Sequence, residues 1–272
     1  RINSRKFALI GDPALQVAMP KYNVVTTLIN QKDAIGSTDT ISALEKVTIE
    51  GFISDDSGKE ITSFNGTIFP TIFDKKTTLT TLMNDQNSPR FPFTLYKNII
   101  FKGSASVVNG KWSFSFYVPK NINYSFGNGR ISYYAKDNNN VDAGGVFTNI
   151  IVGGSSEKGL ADDLGPELDI FMNDESFVFG GMTNSDPILL LNLSDDFGIN
   201  VTGNAVGQDI TAILDGDNQN IFILNDFYEA EKDNFRKGKV RFPLNNLSKG
   251  THNIVAKAWD IAGNSAEKRT EF

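Results

Sequence analysis

The sequence predicts an all-β chain of two tandem immunoglobulin-like β-sandwich domains, preceded by a short N-terminal piece that belongs to neither. Three observations carry this. Phe (21 residues) and Gly (24 residues) are abundant, and Asn collects in short polar runs such as Asn138-Asn139-Asn140, a mixture of strand formers and turn formers. Apolar segments are short and recur between turn signals about every 8–12 residues, the spacing of sandwich strands. Amphipathic helical periodicity is hard to find anywhere in the chain.

In chain order, residues 7–10 (Phe-Ala-Leu-Ile) form a short apolar strand that ends at the turn Gly11-Asp12-Pro13 and stands outside both sandwiches. Strands are expected at 47–53, 66–73, 99–108, 111–118, 130–135 and 145–152. The clearest is 111–118: Trp112, Phe114, Phe116 and Val118 alternate with Ser113 and Ser115, which places the apolar set on one face. Asn109-Gly110 before it is a two-residue hairpin turn that joins it to 99–108. The segment 153–159 (Gly-Gly-Ser-Ser-Glu-Lys-Gly) is small, polar and without periodicity, hence a linker. Beyond it strands are expected at 167–172, 188–193, 209–214, 220–224, 239–244 and 252–259. The expected organisation is 1–20 as an end piece and junction, 21–153 as the first sandwich, 154–165 as linker and 166–272 as the second sandwich. The two halves share a strand, a proline stop, a polar corner and a strand ending in Ala-x-Asp: Pro119 to Asp137, and Pro243 to Asp260. This is a weak internal repeat of one sandwich type.

Composition narrows the function. A length of 272 residues suits about two domains. Lys plus Arg is 26 and Asp plus Glu is 32, a net charge of −6, which argues against a nucleic-acid partner. No apolar run approaches the roughly 18 residues of a membrane span. There is no cysteine, so no disulfide framework, thiolate metal site or thiol nucleophile is available. His252 is the single histidine. The sequence starts at Arg1 without a signal-peptide pattern and reads as a piece of something longer.

Candidate sites have mostly structural explanations. His252 stands at a strand start after Leu247-x-x-Gly250, where immunoglobulin-like domains carry a corner residue bonded to local backbone. Asp215-Gly216-Asp217-Asn218-Gln219-Asn220 offers alternating oxygens, but the glycine is misplaced for a calcium loop and Asp226 stands at the twelfth position, so a hydrated hairpin turn is expected. Asp195-Asp196 and Asp162-Asp163 are expected to be solvated turns too. Lys232, Arg236, Lys237, Lys239 and Arg241 follow the acidic residues 226–231 and suggest a long solvated loop; the interleaved Phe227, Tyr228 and Phe235 would suit a partner surface. The glycines of 126–130 are not followed by a helix, so no phosphate loop exists. Trp259 points away from the face of Ile254, Ala256 and Ala258, as a sugar platform would. Asp39-Thr40-Ile41 has the form of an Asp-Thr-aliphatic O-glycosylation signal, and 36–40 is expected to be an exposed loop. No catalytic, cofactor-binding or metal-binding residue is assigned, and no cofactor is implied.

Several blocks of the sequence resemble the non-catalytic C-terminal region of the gingipain-type cysteine peptidases, in the branch that serves type IX secretion as a sortase. They are residues 7–15 (FALIGDPAL), 20–27 (PKYNVVTT), 46–51 (KVTIEG), 64–74 (FNGTIFPTIFD), 101–103 (FKG), 165–167 (GPE), 172–175 (MNDE), 177–181 (FVFGG), 209–215 (DITAILD) and 259–265 (WDIAGNS). The resemblance implies that residues 1–20 are the end of a peptidase domain whose catalytic Cys and His lie upstream of Arg1. It also implies export to the bacterial cell surface, and as partners the upstream peptidase domain, other outer-membrane secretion proteins and secreted cargo. The Asp39-Thr40-Ile41 signal belongs to bacteria that use this route. A surface adhesion or scaffold module without a peptidase parent is the alternative, because the fold alone does not decide function.

Overall fold

The structure, a computed structural model, describes residues 19–36, 39–84, 88–157, 159–203 and 207–272. The strand expected at 7–10, and the junction with its Pro13, lie outside the described residues. In chain order the strands are β1 (Tyr22–Ile29), β2 (Lys32–Asp33), β3 (Asp39–Ala43), β4 (Lys46–Ser54), β5 (Gly66–Phe73), β6 (Thr77–Thr80), β7 (Pro92–Leu95), β8 (Ile99–Lys102), β9 (Ala105–Val108), β10 (Lys111–Tyr117), β11 (Gly127–Asn128), β12 (Arg130–Asp137), β13 (Asp142–Phe147) and β14 (Ile150–Ser155). The second half has β15 (Glu167–Met172), β16 (Ile188–Ser194), β17 (Thr211–Leu214), β18 (Phe222–Ile223), β19 (Tyr228–Glu231), β20 (Asn234–Pro243), β21 (Asn253–Trp259) and β22 (Ser265–Glu271), with a 3₁₀ turn at Asn225–Phe227.

The first unit differs from the expected sandwich. Its strands pair in the ring β1–β4–β10–β9–β5–β12–β13, and β13 returns to β1 as a parallel neighbour, so seven strands close into a barrel. Closure pairs each of these seven strands on both sides, and β8, which pairs only with β5, is left as an edge. Alternation still decides what faces inward: Val47, Ile49 and Ile53 of β4, Ile68 and Ile72 of β5, Trp112, Phe114 and Phe116 of β10, and Ile131 and Tyr133 of β12 share one core. Two glycines make the ring possible. Gly51 stands opposite Trp112, and a Cβ there would lie 2.4 Å from the indole and 2.0 Å from the Val25 carbonyl oxygen. Gly145 lets β13 close on β1; its Cβ would lie 2.4 Å from the Val24 carbonyl oxygen. The hairpin at Asn109-Gly110 is present, with φ of 51° and 78°, the left-handed values a type I′ turn requires.

Two expected strands are each split. The 99–108 segment breaks at Gly103-Ser104 into β8 and β9, which cover successive halves of β5. The 145–152 segment becomes β13 in the barrel and β14 in a small sheet, β11–β14–β3, that buries Ile41, Ile150 and Val152 in the same core. Thr40 lies in β3, paired with Ile151 and half-buried, and not in the exposed loop expected for it. A separate β6–β7 hairpin leaves Leu82 and Phe91 exposed near its tip.

The second unit is a two-layer sandwich. Sheets β15–β16–β20–β19 and β18–β17–β21–β22 enclose a core that includes Ile170, Leu189, Leu191, Val240, Ile254, Ala256 and Ala258. Lys232 to Arg241, expected as a long loop, instead forms the turn after β19 and the strand β20, with Lys239 paired to Glu175.

Candidate functional site

The most built surface of the chain is the junction between barrel and sandwich. The β19–β20 hairpin turns at Asp233, whose φ of 60° is left-handed, and reaches the broken β8–β9 edge. There the Asp233 backbone N–H donates to the Ser104 carbonyl oxygen at 2.9 Å. The Ser106 N–H and hydroxyl donate to the two Asp233 carboxylate oxygens, each at 2.6 Å. Beside the break at Gly103-Ser104 the hairpin thus meets an acceptor with its backbone N–H and two donors with its carboxylate, which satisfies the backbone groups there. Two residues on, Phe235 packs against the barrel core. Its ring lies 5.8 Å from Tyr117, which meets Phe197 edge-on at 5.3 Å, the offset geometry aromatic pairs favour.

A second strip of contacts runs beside it. The Lys120 N–H donates to the Ile261 carbonyl oxygen at 2.8 Å. The Asn121 side-chain amide donates to the Thr202 hydroxyl at 2.9 Å, and Thr202 is buried and held by Asn200. A cavity of about 310 Å³ remains between the units, walled by Lys46, Ser104, Ser113, Glu231 and Asn234 with Phe114 beneath. Sequence reasoning missed Asp233 and Tyr117 as contacts. The available signal is the aromatic-interleaved charged run: it suggests a solvated loop or a partner surface through Phe227, Tyr228 and Phe235, and of these Phe235 meets the barrel.

Where the linker meets the sandwich, Asp162, Asp195 and Asp260 bring carboxylate oxygens within 4.8 Å of one another. Each lay in a separate stretch of sequence, and only the fold unites them. Burial pushes the Asp195 carboxyl up to about 6, against the lowering effect of the Phe197 and Gly198 N–H groups and with the Asp260 and Asp162 charges adding to the rise. Burial raises Asp260 too, although it accepts from the Gly263 N–H, Asn264 N–H and Asn264 side chain. Asn264 also donates to the Asp162 carbonyl oxygen at 2.9 Å, so its amide ties the Asp162 backbone to the Asp260 carboxylate. Chemically, three close carboxyls can share protons or attract a cation.

His252 is a corner residue. Its Nδ1 lies 2.7 Å from the Asp215 carboxylate and its Nε2 2.9 Å from the Ser248 carbonyl oxygen. Both partners are acceptors, so the doubly protonated ring satisfies both, and the Ser248 carbonyl followed by Asp215 raises its pKa. Asp217 accepts from the Gln219 N–H and the Asn220 amide, the local bonding of a hairpin turn. Trp259 is half-buried, with the Lys257 ammonium 4.7 Å from its ring centroid, so its face is not an open platform. The chain holds no cysteine and hence no thiol nucleophile, and among the described residues no helix is long and apolar enough to cross a membrane.

The chain matches no protein-family model and no curated protein. Among solved structures it is similar to dimeric latent PorU from Porphyromonas gingivalis, at 30% identity and a TM-score of 0.56, over 97% of this chain and 25% of that one. Fibronectin(III)-like modules of Clostridium thermocellum CbhA align at 9% identity and a TM-score of 0.24, over 86% of this chain and 88% of theirs. Bovine butyrophilin aligns at 7% and 0.25, over 92% and 98%. The chain thus spans about a quarter of the length of the PorU structure that it resembles.

Proposed function

We propose that this chain is the non-catalytic β-rich region of a PorU-like cysteine peptidase, a type IX secretion sortase that removes C-terminal sorting signals from cargo and aids its attachment to the cell surface. The observation that supports this reading is 30% identity sustained over 97% of the chain, together with the sequence blocks that resemble that family. In this reading residues 1–20 are the end of the peptidase domain, and barrel and sandwich form a buttress that holds the catalytic domain at a fixed angle. The Asp233 clasp and the Tyr117–Phe197–Phe235 cluster supply the stiffness, because they join the units by directional bonds and ring packing rather than by a linker alone. The parent would be exported and surface-associated.

Two measurements test it. Translating the coding DNA upstream of Arg1 should show a domain with a cysteine nucleophile and a histidine; an upstream region without them favours an adhesion module. In the full-length parent, Asp233→Ala with Phe235→Ala should lower cargo processing in cells while hydrolysis of a short soluble peptide is retained. Unchanged cargo processing with a demonstrably loosened junction would remove the buttress role.

A further inference from the structure

At the base of the β6–β7 hairpin, against the outer wall of the barrel, lies a cavity of about 450 Å³ walled by Phe73, Lys76, Thr94, Tyr96, Arg130 and Ser132. Strand pairing explains its walls. Arg130 stands opposite Phe73 in the β5–β12 ladder, and Ser132 follows Arg130 on the same outer face, while Ile131 and Tyr133 point into the core. Tyr96 leaves β7 and lies 6.3 Å from the Phe73 ring. The Arg130 guanidinium sits 5.8 Å, and the Lys76 ammonium 5.4 Å, from the Tyr96 ring centroid.

No acidic residue lines this cavity, although the chain carries an excess of six negative charges. The neighbouring Lys75 shows how a cation is ordinarily satisfied here: it bonds Asp74 at 2.6 Å and the Asn123 and Val152 carbonyl oxygens at 2.7 Å and 3.1 Å. Arg130 and Lys76 have no carboxylate partner among the described residues, and the Arg130 Nε–H is buried without an acceptor. A buried donor left unpaired is unfavourable and rare. A guanidinium fork beside an ammonium, with two hydroxyls at the rim, is a donor set for a planar or tetrahedral oxyanion.

We infer that this cavity binds the carboxylate or phosphate group of a ligand between Arg130 and Lys76, with the flat body of that ligand laid against Tyr96 and Phe73. The cations fix the anion, and the rings add apolar area on the open side.

The test is isothermal titration of the purified chain at low ionic strength with three probes: inorganic phosphate, benzoate and the neutral benzyl alcohol. Saturable binding of phosphate or benzoate is expected, with benzoate the tighter of the two and benzyl alcohol not binding. Arg130→Gln and Lys76→Gln should each weaken anion binding about tenfold or more, the loss of a charge-assisted contact. Arg130→Lys should recover part of it, and Lys111→Gln, a distant exposed lysine, should change nothing. Tyr96→Ala should weaken benzoate and spare phosphate. Melting temperatures within a few degrees of the parent confirm that each variant is folded; where Arg130→Gln is not, Lys76→Gln decides. The inference is overturned if neither anion saturates, if both charge-removing variants bind as the parent does, or if benzyl alcohol binds as tightly as benzoate. Phosphate binding that exceeds benzoate and is insensitive to Tyr96→Ala overturns the role of the rings.

Discussion

Replacing Phe235 by Ala should loosen the junction measurably while leaving both units folded. Phe235 is partly buried, packs on the barrel core from the sandwich side, and pairs with Tyr117 at 5.8 Å. Removing a fully buried Phe costs about 3–5 kcal/mol; at partial burial about 2 kcal/mol is expected. A double-mutant cycle with Tyr117→Ala should return a coupling of about 0.5–1.5 kcal/mol for the ring pair. The two tryptophans make the assay direct, because Trp112 lies in the barrel and Trp259 in the sandwich. Urea unfolding would be followed in Trp259→Phe and Trp112→Phe backgrounds, each reporting one unit. With the junction intact, Phe235→Ala lowers the midpoint of both units although the residue belongs to one. If only the sandwich responds and the Tyr117 cycle is additive, the rings touch without coupling the units, and the stiffness ascribed to this contact is wrong.

Four further outcomes follow from the geometry. Phe114→Ala should cost about 3–5 kcal/mol in chemical denaturation, since Phe114 is buried between Trp112 and Phe101 at 5.8 Å from each; a loss well below this would mean the β10 face is not core. Gly51→Ala should destabilise by about 1–3 kcal/mol or more, because its Cβ would meet backbone at 2.0 Å; an unchanged melting temperature would refute the account of how Trp112 is housed. Asp195 has a carboxyl raised from 3.8 to about 6, so its charge opposes folding, a penalty absent below the unfolded value and full above about pH 6. Asp195→Asn should therefore stabilise by about 1–3 kcal/mol at neutral pH, with the gain fading as the pH falls towards about 4; an equal gain at both pH values would point to hydrogen bonding, not charge. His252 has a raised pKa, so the stability it supplies is full below about 6.5 and lost as pH rises through its folded value; the melting-temperature deficit of His252→Gln should be larger at about pH 5.5 than at pH 9.

The legible part of this molecule is what depends on neighbours in sequence. Alternation at 111–118, the Asn109-Gly110 turn and the corner role of His252 follow from residue types within a few positions. The charged strand β22 (SAEKRTE) was not legible, because only Thr270 is buried, with Ala266 and Glu271 partly so, and no period emerges from so polar a segment. The carboxylate cluster and the junction were out of reach for another reason: Asp162, Asp195 and Asp260, or Ser106 and Asp233, are separated by dozens of residues and meet through topology alone.

The weak repeat shows where the boundary falls. Asp137 and Asp260 do perform the same local task, accepting backbone N–H groups of the turn that follows: Asn139 and Val141 in one case, Gly263 and Asn264 in the other. A carboxylate at a strand end is selected by the orphan donors of the next turn, and that selection acts in any β architecture. The strands around these residues nevertheless belong to different folds. β10 and β12 sit in one closed ring, whereas β20 and β21 sit in opposite sheets. What separates the outcomes is the third partner of each strand. β13 carries Ala143, Gly144 and Gly145, small enough to let it pair with β12 on one side and approach β1 on the other. β22 has no such run and ends its sheet as an edge lined with Glu267, Lys268 and Arg269, the charges that discourage further pairing. Shared punctuation therefore predicts shared corners, and the small or charged character of the last strand decides whether the sheet closes.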